Sequence, residues 1–405
     1  MATVPDNESV EDGPLSHLVV VDLTTARSGP TCVRQLADLG AQVIQVCMPG
    51  RGNLAGSDGY NLHRNKRSIV LDLKHPDGLE AFGRLVDRAD VFVENMRPSV
   101  KYRLGIGPDV LRARNPRLIY ASLSGFGQDG PYAERPGVDQ IAQGLSGIMS
   151  VTGPPGSGPW RVGIAISDTA AGTFLTQGVL AALIARERTG QGQWLHTSLL
   201  ESAINFMDFQ ACRWLTDGVV PPQEGNAHPT FFPMGTYRAA DGYINIAALK
   251  SLEVFLDIIG AGALLDDERF ATTDARRTNR NAFDAACESR LTTETVQVWV
   301  DRLNAASIPA GPVYRVDETF ADPQVRHLGL TVQVPVPGGA TATVLRFPVT
   351  LEATPASVRR GPPAPGADTR EVLRTLGYAT GEIDALVAGG GAAAAVGGGG
   401  ANWLG

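Results

Sequence analysis

The chain has 405 residues, 43% hydrophobic and 19% charged, with a formal net charge of −7. This is ordinary globular composition with length for two or three domains, and the acidic balance argues against a general nucleic-acid binder while leaving room for a local basic pocket. The longest apolar runs, such as GVLAALIA, fall short of the roughly 20 residues of a membrane span, so no membrane or nucleic-acid partner is expected.

The opening MATVPDNESVEDGPL is polar and acidic, without the basic and apolar regions of a secretory signal. Cys32, Cys47, Cys212 and Cys287 are too thinly spread for a disulfide scaffold or zinc site, and the six histidines form no ligand pair. A reduced, cytoplasmic setting and no metal are the expectations.

In chain order, HLVVVDLT (17–24) is a short β-branched run and reads as a buried strand. TCVRQLADLG follows as a helix ending at Gly40, then AQVIQV (41–46) as a second strand. Strand, helix and strand within about 30 residues begin a doubly wound α/β sheet. The connecting loop lacks GxGxxG, so a dinucleotide fingerprint is absent. Further strands are predicted at 68–73, 90–96 and 117–125, with helices at HPDGLEAFGRLVDRA and PDVLRARN; the Pro-Asp start of the former suits a helix N-terminus.

GIAISDTAAGTFLTQGVLAALIARERTGQG (163–192) predicts a long helix opened by Asp168 and stopped at Gly190. Asp168 is either the N-cap of that helix or a reactive carboxylate, and spacing alone leaves both open. Asp139, in RPGVDQIAQ, carries the same ambiguity. A strand at 193–199 and a helix over 201–217 follow. The Pro/Gly-rich DGVVPPQEGNAHPTFFPMG then marks a crossing into a second domain. That domain opens with a hairpin around Asp241-Gly242 and continues with helical pieces to about Leu303. IPAGPVYRVDETFADPQV reads as a loop with a short helix, and strands return around Pro-Gly-Gly at 337–339. The end, VAGGGAAAAVGGGGANWLG, is low complexity and is expected to be loosely packed, with Trp403 and Leu404 as possible docking points.

Lys74, Arg97 and Arg103 lie where loops leave the C-terminal ends of predicted strands, the usual ligand edge of such a sheet. They are either solvated loop charge or holders of an anionic ligand. SGFGQDGPY (124–132) is glycine-rich, and either brings backbone close to a ligand or simply connects. No GxSxG and no Cys with a His partner signals an acyl-enzyme hydrolase.

Ordered blocks along the chain carry a resemblance. They include LVVVDLTTARSGPTCVRQLADLGAQVIQV, NKRSIVLDLKHPDG, VFVENMRPSVKYRLGIG, NPRLIYASLSGFGQDGPYAERPGVDQIAQGLSGIMSVTG, GIAISDTAAG and ARERTGQGQWLHTSLLESA, with DGYINIAA and IPAGPVYRVDETFADPQVRHLG later. From about Pro14 to Leu386 the chain resembles the class III CoA-transferases (CaiB/BaiF family), which include formyl-CoA and carnitine CoA-transferases and share their fold with α-methylacyl-CoA racemase.

The resemblance implies an α/β fold with a Rossmann-like large domain built from both chain ends, a smaller inserted α+β domain, and an interlocked homodimer. In these terms 1–13 is a tail, 14–222 the first part of the large domain, 223–325 the small domain, 326–386 the return and 387–405 a Gly/Ala tail. It implies CoA transfer from an acyl-CoA to a free carboxylic acid, with CoA as substrate and no resident cofactor. Asp168 occupies the nucleophile's place in G-x-x-x-x-D-x-x-x-G, forming an aspartyl mixed anhydride and then an aspartyl-CoA thioester. The helix N-terminus is expected to lower its pKa. The implied CoA contacts are Arg27, Ser28, Met48, Leu71, Asp72, Leu73, Lys74, Asn95, Met96, Arg97, Arg103, Pro136, Gly137, Val138 and Asp139.

Some positions depart from the family pattern. VIQVCMPG stands for the common VIKVE, Arg27 for the glutamine of formyl-CoA transferase, and its GGGGQ loop has no counterpart, which points away from formate and oxalate. The racemase branch uses a histidine in GHD; here PGVD places Val138 there, which leaves no base for proton transfer at Cα. A non-catalytic CoA-binding protein is the other alternative, opposed by the retained Asp168. Phe231 and Phe232 are expected to favour a sizeable apolar acyl group if they reach the acyl pocket.

Overall fold

A computed structural model describes residues 13–50, 56–249 and 251–395; the expected N-terminal tail up to residue 12, and Trp403 and Leu404, lie outside them. The described residues form two compact units. One gathers parts of 1–148, 161–219 and 329–405; the other comprises 149–160 and 220–328. Segment 149–160, assigned by sequence to the large domain, thus belongs to the second unit.

The first unit opens with β1 (Val19–Leu23), α1 (Ser28–Asp38), β2 (Gln42–Cys47), α2 (Gly56–His63) and β3 (Lys66–Leu71). Then come α3 (Pro76–Val86), β4 (Val91–Glu94), α4 (Pro98–Arg103), α5 (Pro108–Arg114), β5 (Ile119–Ser124) and α6 (Asp139–Ser146). After α7 (Ile148–Val151), all but the first residue of which belongs to the second unit, the first unit resumes with α8 (Ile166–Thr189), β6 (Trp194–Ser198), α9 (Leu199–Asn205) and α10 (Phe209–Asp217). The single helix expected over 201–217 is two, because Asp208 takes φ +44° between them.

The second unit holds β7 (Met234–Arg238), β8 (Tyr243–Ala247), α11 (Leu252–Ile258), α12 (Thr273–Thr278), α13 (Arg280–Leu291), α14 (Val296–Ala305), β9 (Ala310–Pro312), α15 (Val316–Ala321) and α16 (Pro323–Leu328). β7 and β8 form the expected hairpin, and β9 adds antiparallel to β8 where the sequence suggested only loop. Phe232 is buried in this unit's core and stacks edge-on against Phe283, so it is a packing residue, not a wall of an acyl pocket.

Back in the first unit, β10 (Thr331–Pro335) and β11 (Thr341–Leu345) form a hairpin, followed by α17 (Thr369–Thr375), α18 (Thr380–Ala388) and β12 (Ala392–Ala393). The large sheet runs β12-β3-β2-β1-β4-β5-β6, parallel except for β12, which pairs antiparallel to β3. Part of the expected loose tail is therefore an edge strand.

Alternation along the strands divides the core. Val20, Val43, Val91 and Ile119 face α1 and α8, while Val21, Ile69, Phe92 and Tyr120 face α3, α17 and α18. α8 is long and apolar enough to cross a membrane by length and composition. Ala171, Leu175 and Val179 are buried against the sheet, as in a core helix. Strand order reverses between β1 and β4, so a crevice opens outside their carboxyl ends.

Candidate functional site

Two buried carboxylates shape that crevice. Asp22, next to last in β1, accepts from the Thr24 backbone N–H at 2.9 Å and from Lys66 Nζ at 2.9 Å. Glu94, last in β4, accepts from the Met96 N–H at 2.7 Å and from Lys101 Nζ at 2.9 Å. All four ionic side chains are fully buried. Each acid therefore fixes the turn leaving its strand while its lysine offsets the buried charge. Asn95 ties the two turns together, accepting from the Thr25 N–H at 2.9 Å and donating to the Thr25 carbonyl at 2.7 Å.

A cleft of about 400 Å³ lies over these turns, lined by Met48, Asp72, Lys74, Asn95, Met96 and Arg103 among others. Lys74 and Arg103 are exposed beside it, two cations where an anionic ligand would sit. Leu71 and Leu73 do not line it; both are buried in the core facing α3, so only their backbone is available to a ligand. Arg97 is exposed and donates to the Glu134 carbonyl at 3.4 Å, near the loop carrying Pro136, Gly137 and Val138. Gly137 packs on Gly125, where a Cβ would meet backbone at 2.7 Å. Pro136 and Val138 are exposed.

The loop that lines the cleft with Thr24 and Thr25 continues into Arg27 and Ser28 at the start of α1, and there it meets Asp168. Gly172 makes the approach possible: a Cβ on it would lie 2.6 Å from the Ser28 carbonyl oxygen. Ser28 stands beside the Asp168 carboxyl and favours its ionised form. Arg27, held by Asp58 at 2.6 Å, adds a nearby positive charge.

Asp168 is not the N-cap. α8 begins at Ile166, with Ala165 at the cap and no side-chain bond there, so Asp168 is the third helical residue. The capping role belongs to Asp139. Its Oδ1 accepts the Ser167 N–H at 2.9 Å, while Oδ2 accepts Gln143 Nε2 at 2.7 Å and Arg161 Nη2 at 3.2 Å. Asp139 is buried, and its carboxylate is committed to protein groups. Nor does the helix N-terminus dominate the acidity of Asp168. Burial, reinforced by the Asp139 charge, pushes its carboxyl up to about 6 despite the opposing pull of Arg27 and Ser28.

A half-buried carboxylate of raised pKa sits at one end of a single loop, and a cation-edged cleft at its other end. The model of CoA-transferase family III matches residues 15–369. The chain belongs to that family.

Among relatives of this CoA-transferase family III member, the succinate–glutarate CoA-transferase of Agrobacterium fabrum is 37% identical over 387 residues, covering 90% of this chain and 96% of its own. The acetyl-CoA:oxalate CoA-transferase of Acetobacter aceti is 37% identical over 334 residues, covering 79% and 86%. The human succinyl-CoA:glutarate CoA-transferase is 31% identical, covering 94% and 90%. A CaiB/BaiF family protein from Brucella suis superposes with a TM-score of 0.81 at 34% identity, covering 90% of this chain and all of that one. The chain is an enzyme of the CoA-transferase class.

Sequence reasoning missed Asp58, Arg161, Gln143 and the two buried lysine–carboxylate pairs. An acid closing an otherwise apolar strand, VVVDL and VFVE, was the available signal for the last.

Proposed function

We propose that this enzyme moves CoA from an acyl-CoA donor, succinyl-CoA in type, to a small dicarboxylic acid, with Asp168 as nucleophile. The acids named for its relatives, glutarate, oxalate, citramalate and mesaconate, are all dicarboxylic. The departures at Arg27 and Met48 accordingly weigh less against oxalate than the sequence alone gave them.

An Asp168 oxygen attacks the thioester carbonyl, the C–S bond breaks, and CoA leaves as thiolate from a mixed anhydride. The thiolate attacks the aspartyl Cγ and the donor acid departs, leaving an aspartyl-CoA thioester. The acceptor carboxylate attacks that Cγ and expels thiolate again. Thiolate then takes the acceptor's acyl carbon, regenerating Asp168. Charge and atoms balance at each exchange, and no ATP is consumed.

One observation carries the reading: Asp168, in the first turn of α8, faces the loop of Arg27 and Ser28 through the close approach at Gly172, and its carboxyl, pushed up to about 6 by burial and the Asp139 charge, is ionised at neutral pH yet more basic than an ordinary aspartate, which favours nucleophilic attack. Water must be kept from the anhydride. Lys74 and Arg103 would hold the CoA phosphates. Val138 offers no proton acceptor for the racemase alternative. A non-catalytic role gives Asp168 no reason to remain desolvated.

We place the enzyme in the cytoplasm as a homodimer. Ile141, Leu145, Ile184, Trp214 and Leu215 are exposed on α6, α8 and α10, the last by 78%, apolar surface that a second copy would cover.

The deciding experiment is to trap the protein with acyl-CoA using hydroxylamine and map the modified peptide. The adduct is expected on Asp168 and absent in Asp168→Ala; an adduct elsewhere, or none with any thioester, overturns the reading.

A further inference from the structure

The two acids flanking Asp168 are each paired with an arginine, but the pairs differ in kind. Arg27 is held by Asp58 at 2.6 Å. Arg161 reaches Asp139 at 3.2 Å, and among the described residues this is its one ion-pair partner. The Asp139 carboxylate does not depend on it: one oxygen keeps the Ser167 N–H and the other keeps Gln143 Nε2 when Arg161 turns away. The Arg161 side chain is 39% exposed. Its backbone neighbourhood is pinned, because the Val162 N–H donates to Gln143 Oε1 at 2.9 Å and Gln143 Nε2 donates to the Ile164 carbonyl at 3.3 Å. A guanidinium with a fixed base, spare donors and a partner that can release it stands one carboxylate away from Asp168.

We infer that Arg161 is the specificity-determining residue that receives the remote carboxylate of a dicarboxylic substrate while its other carboxylate, or thioester, meets Asp168. This rests on the reaction proposed above. Arg27 and Asp58 offset each other, so without Arg161 a second substrate carboxylate would enter a site holding Asp168 and Asp139, and like charges would repel it. Arg161 offers a planar fork that can bind a carboxylate through two parallel bonds. Asp139 then acts as its resting place, holding the guanidinium toward the site until substrate replaces it.

The test is steady-state exchange with succinyl-CoA as donor and either glutarate or its monocarboxylic analogue valerate as acceptor, in wild type, Arg161→Met and Arg161→Lys. In a ping-pong reaction the acceptor's kcat/KM reports the second half-reaction, so effects on the donor cancel in the ratio. The glutarate-to-valerate ratio is expected to fall about 30-fold in Arg161→Met and less in Arg161→Lys, which keeps charge but loses the fork. An unchanged ratio with both acids slowed alike assigns Arg161 a structural role and overturns the inference. So does a fall in the ratio in Arg27→Gln and not in Arg161→Met. Failure of the wild type to form any Asp168 adduct is a separate result, and it overturns the underlying reaction instead.

Discussion

Gly172 on α8 lies so close to α1 that a side chain there would meet the Ser28 carbonyl oxygen at 2.6 Å and the Thr31 Cβ at 2.7 Å. Backbone cannot yield as a flexible side chain does, so Gly172→Ala must push α8 outward and carry Asp168 away from Ser28 and Arg27. The expected cost is about 1–3 kcal/mol in urea unfolding, with CoA exchange down about 100-fold from misplacement of the proposed nucleophile. Gly163, which has open space around the same added Cβ, should lose far less stability on change to Ala. Equal losses at the two positions would refute the close-packing argument.

The elevated Asp168 pKa has two readouts of definite sign. An acid whose pKa rises from 3.8 to about 6 on folding binds its proton more tightly in the native state. Its contribution to stability is therefore full below pH 3.8 and is lost as pH rises through 6. Asp168→Asn removes that loss, so its melting temperature should match wild type near pH 4 and exceed it increasingly up to about pH 7. In the active enzyme, kcat/KM for the acyl-CoA should fall tenfold per pH unit below about 6. A melting difference independent of pH contradicts the assignment.

The strands and α3 were legible because β-branched runs and a Pro-Asp start are local signals. The start of α8 was not. Its cap is Asp139, 28 residues away, and no local pattern announces a cap supplied from another element. HRNKR (63–67) and RPSVKYR (97–103) are rich in cations, yet Lys66 and Lys101 are buried against Asp22 and Glu94; sequence shows the charges but not which of them turn inward. The side chains of Leu71, the last residue of β3, and of Leu73 just beyond it are buried in the core, an orientation that their apolar type alone does not separate from a ligand contact. Asp168 itself was singled out by resemblance, and its raised pKa required knowing what surrounds it.

Lys101 should matter more than its neighbours in the same patch. Its ammonium donates to Glu94, to Ser122 at 3.1 Å and to Gln128, joining the β4 turn to the glycine-rich loop. Lys101→Met leaves the Glu94 carboxylate buried without its cation, at about 3–5 kcal/mol. Adding Glu94→Gln should recover part of that loss in urea unfolding. If the double variant is no more stable than the single one, the pair is not coupled.

Lys74 and Arg103 are expected to act on binding and not on chemistry. Both are exposed at the cleft, so replacing both by Ala should leave the fold intact. KM for the acyl-CoA should rise about tenfold per cation lost, with kcat changed much less and a shallower dependence of KM on salt. A fall in kcat at unchanged KM would move these residues from CoA recognition to the reacting centre.

Leu215 tests the assembly. It is 78% exposed, next to Trp214 at 56%, while Ile184 on α8 is 68% exposed. Large apolar side chains left in water gather partners, and a stable dimer buries them at the centre of its interface. Leu215→Arg would place an unpaired charge in such an interface, at a cost large enough to shift association by several orders of magnitude. Light scattering should then give half the wild-type mass at micromolar concentration, whereas an exposed surface residue with no partner would leave the mass as it was.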